Sequence, residues 1–165
     1  MMSPETETLL TYLNHQRRHV HDILAGLSEA DLRRPVLPSG WSCLGLVRHL
    51  ALDVERFWFR AVVSGDRAVI DGLGQSGDAW QVGRDVPVGA VLTCYRREID
   101  AANAVIATTS MQAAPVWWPE WFADWQARTL REVVLHVITE TACHAGHLDA
   151  ARELIDGRRW LVLTR

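Results

Sequence analysis

Apolar residues recur every three or four positions through four long segments of this chain, and that period is typical of helices with one buried face. The segments cover residues 4–27, 42–65, 87–110 and 129–157. Ser3-Pro4 and Thr129 suit helix N-termini, and Gly157 suits the left-handed position that ends a helix. No β-strand pattern of any length competes with these helices. The sequence therefore predicts an all-α fold.

The connections between these segments are of unequal length. A short helix is predicted from Ser28, and Pro35 stops it. Residues 65–86 are rich in Gly and Asp without periodicity, which predicts a long loop, and residues 111–128 are expected to be irregular or briefly helical. Four helices joined in part by long connections indicate a four-helix bundle with long crossover connections. No repeat or linker divides the chain, so we expect a single domain over residues 1–165.

Composition narrows the classes of partner. The formal net charge is −3 and no run of Lys or Arg occurs, which argues against nucleic-acid binding because that binding needs a basic surface. No apolar run approaches the length of a membrane span, and the N-terminus is polar rather than signal-like. We therefore expect a cytoplasmic protein with neither membrane nor nucleic-acid partners.

The three cysteines are scattered and form no C-x-x-C pair, so no disulfide framework is predicted.

One polar pair conflicts with the apolar pattern of the fourth segment. On a helical wheel, Glu140 and His144 lie in the stripe that also carries Val133, Val137 and Ala151. A carboxylate buried without a partner is strongly unfavourable, so such groups are paired, exposed or bound to a metal. The two residues are one turn apart on one face, a spacing of about 6 Å along the helix that lets both side chains reach one ion.

A metal site at this pair needs a third ligand from another helix of the bundle. His49, on the second segment, lies at the edge of that segment's apolar face and is the candidate. Two His and one Glu around a divalent ion leave positions open for water or substrate, which is the pattern of catalytic rather than structural zinc sites. The spacing by itself leaves another interpretation open, because Glu and His one turn apart also occur as surface or packed pairs.

Longer motifs carry a resemblance to a known family. They are Leu37-Pro38-Ser39-Gly40-Trp41-Ser42, Val47-Arg48-His49-Leu50-Ala51, Thr129-Leu130-Arg131, Leu135-His136, the string E-T-A-C-H-A-G-H-L-D at 140–149 and the string R-E-L-I-D-G at 152–157. Together they resemble the DinB-like superfamily, above all its actinobacterial branch related to mycothiol-dependent maleylpyruvate isomerase. The resemblance spans nearly the whole chain, and H-A-G-H-L-D and R-E-L-I-D-G are quite specific to that branch.

The resemblance implies a metal-binding four-helix bundle, often a dimer, whose ligands by motif position are His49, Glu140 and His144. The expected ion is zinc, with nickel as the alternative, because such ligands suit several first-row metals. The resemblance also implies that a low-molecular-weight thiol such as mycothiol attacks a small electrophile, in an S-transferase or thiol-dependent isomerase reaction. A cation with an open position favours the thiolate form of that thiol, which is the reactive nucleophile.

Three more polar residues are candidates for orienting a ligand or contacting substrate. His136 and His147 lie just beyond Glu140 on the wheel, and the alternative for each is an ordinary hydrogen-bonded helix histidine. Asp53 follows His49 by about one turn and is spaced to hold its tautomer. The tryptophan cluster Trp117–Trp125 is expected to pack in the core, to wall the pocket or to form a dimer face.

Two other functions stay open from the sequence. The same metal site suits a hydrolase that attacks with a metal-activated water. A bundle of this kind also suits a non-catalytic protein that binds metal or forms a dimer without turnover. Thiol-independent cleavage of esters or amides would indicate the hydrolase, and bound metal without any activity would indicate the non-catalytic protein.

Overall fold

The computed structural model describes residues 2–75, 77–122 and 125–160, and these residues form helices and connecting segments without any β-strand. The helices are α1 (Pro4–Ile23), α2 (Glu29–Arg33), α3 (Cys43–His49), a π-helical segment (Leu50–Val63) that continues α3 directly, α4 (Arg67–Asp71), α5 (Val88–Thr108) and α6 (Leu130–Asp156). The predicted all-α fold is confirmed. The four longest helical stretches coincide with the four apolar-periodic segments of the sequence.

Contacts between the ends of the helices fix the topology. Glu5 pairs with Arg131 and His19 pairs with Asp149, so α1 and α6 run parallel. The backbone N–H groups of Val116 and Trp117, which follow α5, donate to carbonyls at the end of the π-helical segment. The second and third long helices therefore also run parallel, and the long connection between them crosses the length of the bundle.

Side-chain hydroxyls cap the start of three of the long helices, and a glycine ends α6. The hydroxyl of Ser3 accepts from Thr6 N–H, that of Ser42 from Gly45 N–H, and that of Thr129 from Glu132 N–H. These bonds satisfy backbone donors that have no partner inside the helix. Gly157 ends α6 with φ of 77°, a conformation that glycine adopts without strain. The predicted caps at Ser3 and Thr129 and the predicted end at Gly157 are confirmed.

The second long helix departs from the predicted α-helical geometry. From Leu50 to Val63 its turns are wider, with bonds such as Ser64 N–H to Phe59 C=O that span five residues. Most residues of the segment are buried, including Glu55, Phe57 and Trp58, whereas Asp53, Arg56 and Arg60 are not. Apolar residues three or four positions apart indicate a helix with one buried face, but over 14 residues this spacing does not distinguish the pitch of an α-helix from that of a π-helix.

Two predicted boundaries differ from the structure. Residues 65–86 were expected to form a loop, but α4 lies within them, because the carboxylate of Asp66 caps its first turn at Ala68 and Val69. The first helix ends at Ile23, earlier than the expected residue 27, and a turn with Gly26 at φ 83° follows. Residues 111–122 and 125–128 are irregular; residues 123 and 124 of the same predicted stretch lie outside the described residues.

A salt bridge lies inside the apolar core. The guanidinium of Arg17 on α1 donates from Nε and Nη2 to both carboxylate oxygens of Glu55, and both side chains are buried. Nη1 of Arg17 donates to the amide oxygens of Asn14 and Asn103, so the pair joins three helices.

None of the described helices is both long and apolar enough to cross a membrane.

Candidate metal centre

His49 is the last residue of α3, at the junction with the π-helical segment, and the loop around Trp80 holds it in place. The indole ring of Trp80 stacks on the His49 imidazole, with 4.2 Å between ring centroids and 18° between planes. The guanidinium of Arg48 donates to the carbonyls of Asp78 and Gln81, which anchors the loop on α3. The Trp80 carbonyl comes so near Gly45 that a Cβ there would lie 2.1 Å from its oxygen.

Glu140 and His144 lie on α6 and face His49 from the opposite side of the site. One ligand atom from each of the three residues can be chosen so that all three atoms lie within 4.8 Å of one another. Nε2 of His49 is 3.9 Å from Oε1 of Glu140, and the rings of His49 and His144 meet edge to face at 5.0 Å. Side chains from two separate helices thus converge on a space of the size that one ion fills.

The protonation state of His144 suits a metal ligand. Burial, assisted by the neighbouring His49 and His147, lowers the pKa of His144 to about 4, although Glu140 acts in the opposite direction. The ring is therefore neutral at neutral pH and has a free nitrogen lone pair. Neutral imidazole is the form that coordinates a metal.

Two further observations test whether these residues fit a divalent ion. Oε2 of Glu140 is buried and has no hydrogen-bond partner among the described residues, and it lies 3.0 Å from Nε2 of His136 without hydrogen-bonding alignment. Nδ1 of His49 is 2.9 Å from Oδ2 of Asp53. A carboxylate that holds Nδ1–H leaves Nε2 as the coordinating atom, an arrangement common at protein metal sites. The donor set fits a divalent ion with open positions.

The structure places His136 and His147 on opposite sides of the Glu140–His144 pair. His136 lies toward the start of α6, beside Glu140 and against the ring of Trp58 at 4.6 Å. His147 is exposed, with Nδ1 3.5 Å from Nδ1 of His144. Both therefore border the site.

The predicted tryptophan cluster packs on the π-helical segment beside the site. Trp117 and Trp118 are half-buried, whereas Trp121 and Trp125 are exposed, and Trp125 contacts His136 at 5.0 Å between ring centroids. The cluster borders an open cavity of about 610 Å³, whose lining residues include Asp53, Phe57, Ile70, Leu73, Trp117, Trp121 and Phe122. Asp53 thus contacts His49 on one side and this apolar cavity on the other.

Sequence reasoning missed two aromatic residues of the site. Trp80 covers His49 from a loop that has no periodicity, and Trp58 packs on His136 from the π-helical segment. A lone tryptophan within the Gly- and Asp-rich stretch 65–86 was the available signal for Trp80, since exposed loops seldom carry so large an apolar side chain.

Comparisons with known proteins add one finding to this geometry. The family model described as mycothiol S-transferase matches residues 8–157, a range that includes His49, Glu140 and His144. No curated protein and no solved structure matches the chain. The match covers most of the sequence and agrees with the motifs and the helical fold, so the chain belongs to the mycothiol S-transferase family of the DinB-like superfamily.

Proposed function

We propose that this chain is a divalent-metal-dependent S-transferase that joins mycothiol, or a similar small thiol, to an apolar electrophile. The observation that carries the proposal is the convergence of His49, Glu140 and His144, from two separate helices, within 4.8 Å. Family membership supports mycothiol as the thiol substrate, since the matching family model is described as mycothiol S-transferase.

His49, Glu140 and His144 would hold the metal through two imidazole nitrogens and one carboxylate. When bound, a divalent cation supplies Lewis acidity that favours the thiolate form of a nearby thiol. We propose zinc as the ion and nickel as the alternative, because nitrogen and oxygen donors of this kind suit both. The single negative charge of Glu140 leaves the site with net positive charge, which favours an anionic sulfur.

The residues around the three ligands orient His49, cover it from water and border the site. Asp53 accepts a hydrogen bond from Nδ1–H of His49 and so keeps Nε2 directed toward Glu140. Trp80 covers the outer face of the His49 ring and excludes water from it. His136 and His147 lie at the edges of the site, where each is positioned to contact the thiol or the electrophile. Water exclusion strengthens the electrostatic interactions on which such a reaction depends.

The aromatic cavity beside Asp53 is the proposed binding site of the electrophile. Its volume of about 610 Å³ is large enough for a small organic molecule, and Phe57, Trp117 and Phe122 give it an apolar wall. Aromatic rings bind flat apolar molecules through dispersion and burial of surface. An electrophile held there lies next to the residue that orients His49.

Metal analysis beside a thiol-dependent assay tests the proposal. Purified protein is expected to contain one zinc or nickel per chain, and the His49→Ala and His144→Ala variants are expected to lose it. His15→Ala is the matched control, since this histidine lies on α1 and is exposed. Conjugation of monobromobimane above the uncatalysed rate is expected only when mycothiol or another small thiol is added.

The other outcomes of this experiment point elsewhere. Metal-dependent cleavage of esters or amides without a thiol would indicate a hydrolase. Stoichiometric metal without turnover of any electrophile would indicate a binding protein. Metal content that survives both histidine substitutions would remove the basis for the site.

We also propose that two copies of the chain associate. Val116, Trp121, Trp125 and Leu135 are large apolar residues with exposed side chains, and a second copy would remove them from water. Light scattering coupled to gel filtration is expected to give twice the mass of one chain, and a monomer at micromolar concentration would contradict the proposed dimer.

The cytoplasmic location and the single-domain organisation stay predictions from the sequence.

A further inference from the structure

A second cavity lies away from the metal centre. It has a volume of about 340 Å³ and is enclosed by the C-terminal part of α1, by α2 and α3, and by the N-terminal half of α5. Its wall is mainly apolar, with Val20, Leu24, Val47, Leu92 and Ile99 among its members. None of the proposed metal ligands contributes to it. A cavity of this size and composition is typical of small-molecule binding sites.

One polar group of this cavity has no partner. Tyr95 lines the cavity, its side chain is 4% exposed, and its buried hydroxyl makes no hydrogen bond with any described residue. Buried tyrosine hydroxyls usually have a partner, and an unsatisfied one is unfavourable. Burial raises the pKa of Tyr95 far above its ordinary value, so the hydroxyl keeps its proton and is a donor.

The charges around the cavity limit what Tyr95 can bind. Arg17 also lines the cavity, but Glu55, Asn14 and Asn103 already accept its hydrogen bonds. The Glu55 carboxylate raises the pKa of Tyr95 further, and the guanidinium of Arg17 acts in the opposite direction. Among the described residues that line it, the inner end of the cavity therefore offers no free cation, and the paired charges of Arg17 and Glu55 leave no net positive charge to attract an anionic ligand.

The remaining ionisable groups lie at the mouth of the cavity. His21 and Arg96 are exposed there, and Asp22 pairs with His21. Water screens charges in such positions. These exposed residues therefore do not change what the inner end favours, which is an uncharged ligand group that accepts a hydrogen bond from Tyr95.

We propose that this cavity binds a neutral apolar molecule with one hydrogen-bond acceptor, such as a ketone or ester carbonyl, and that the Tyr95 hydroxyl donates to this acceptor. The apolar wall receives the body of the ligand, and the single donor fixes its orientation. The site is independent of the proposed metal centre and of the thiol reaction.

Two probes of nearly the same shape test the proposal by ¹⁹F NMR titration of the intact protein. 4-Fluoroacetophenone carries a carbonyl, and 1-ethyl-4-fluorobenzene replaces it with a methylene. The wild-type protein is expected to bind the ketone more tightly than the hydrocarbon. Tyr95→Phe is expected to weaken ketone binding about fivefold, the value of one neutral hydrogen bond, and to leave hydrocarbon binding unchanged within about twofold. Tyr12→Phe, at an exposed tyrosine, is the control.

A cavity-filling variant locates the binding. Leu92→Trp places a large ring in the cavity, and it is expected to abolish binding of both probes while far-UV circular dichroism shows an intact helical fold. Absence of saturable ketone binding to the wild-type protein would overturn the proposal. Equal affinity of the wild-type and Tyr95→Phe proteins for the ketone would overturn it as well, and this comparison decides even if Leu92→Trp fails to fold.

Discussion

Asp53 and His49 form a hydrogen-bonded pair at the junction where an α-helix becomes a π-helix, with 2.9 Å between Oδ2 and Nδ1. Both residues lie on one helix, four positions apart, so the pair forms without any long-range contact. The pair nevertheless affects a contact between residues far apart in sequence, because the imidazole that Asp53 orients faces Glu140 on α6. A local contact thereby sets the geometry of a site between two helices.

Asp53→Asn is expected to weaken metal binding about 10-fold or more while leaving all three proposed ligands in place. The amide accepts the Nδ1–H bond less strongly than the carboxylate, so the ring is less firmly oriented and less basic. Competition with a chelator of known affinity measures the change. Asp71→Asn is the matched control, since Asp71 is exposed and forms an ion pair with Arg67 on α4. Equal metal affinity of Asp53→Asn and wild type would show that Asp53 is merely a polar neighbour.

Sequence patterns predicted most of the fold because its long helices follow simple rules. A period of 3.6 residues marks the half-buried helices α1, α5 and α6, and the capping hydroxyls of Ser3 and Thr129 mark the starts of α1 and α6. The pitch of the segment 50–63 is not predictable in this way, because apolar residues three or four positions apart occur in an α-helix and in a π-helix alike. The small helix α4 was missed because five residues are too short for a periodic signal.

The candidate site was predictable in part for the same reason. Glu140 and His144 are local to one helix, so their spacing showed that they share a face. The wheel made His49 a candidate at the edge of its apolar face, and the family motifs supported that choice, since a wheel cannot bring two helices together. Contacts between residues far apart in sequence, such as Trp80 on His49 and Arg17 on Glu55, are tertiary and leave no periodic trace.

Gly45→Ala is expected to disturb the metal centre although residue 45 is not itself a proposed ligand. The added Cβ would lie 2.1 Å from the Trp80 carbonyl oxygen, a backbone atom that has to move away. Displacement of the loop uncovers His49, so metal affinity is expected to fall and the tryptophan emission maximum to shift to longer wavelength.

Gly146→Ala on α6 is the matched control for this substitution. Nothing lies within 4 Å of the added Cβ there, and alanine in a helix interior is favoured over glycine by about 0.5–1 kcal/mol. This variant is expected to be slightly more stable than wild type and to bind metal normally. If Gly45→Ala behaves in the same way, the close approach of the Trp80 loop does not hold in solution.

Glu55→Gln is expected to destabilise the protein by about 3–5 kcal/mol, because it leaves the guanidinium of Arg17 buried without its counter-ion. Urea unfolding followed by circular dichroism measures the free energy of unfolding. The double variant Arg17→Met with Glu55→Leu removes both charges and is expected to lose less stability than Glu55→Gln alone. A loss below about 1 kcal/mol for Glu55→Gln would mean that water reaches the pair.

Asp66→Ala is expected to lower the free energy of unfolding by about 1–2 kcal/mol at neutral pH, because the carboxylate of Asp66 caps α4.

This carboxylate also accepts hydrogen bonds from Arg60. These bonds are the main reason that the pKa of Asp66 lies below its ordinary value of 3.8. A lowered pKa in the folded state means that the carboxylate stabilises the fold above about pH 4 and that this contribution disappears as the pH falls through the folded-state value. Urea unfolding at pH 7 and at pH 2.5 is therefore expected to show a smaller difference between variant and wild type in acid. Asp71→Ala, at an exposed ion pair on the same helix, controls for loss of a surface charge. A pH-independent difference would assign the cost of Asp66→Ala to lost packing rather than to the charge.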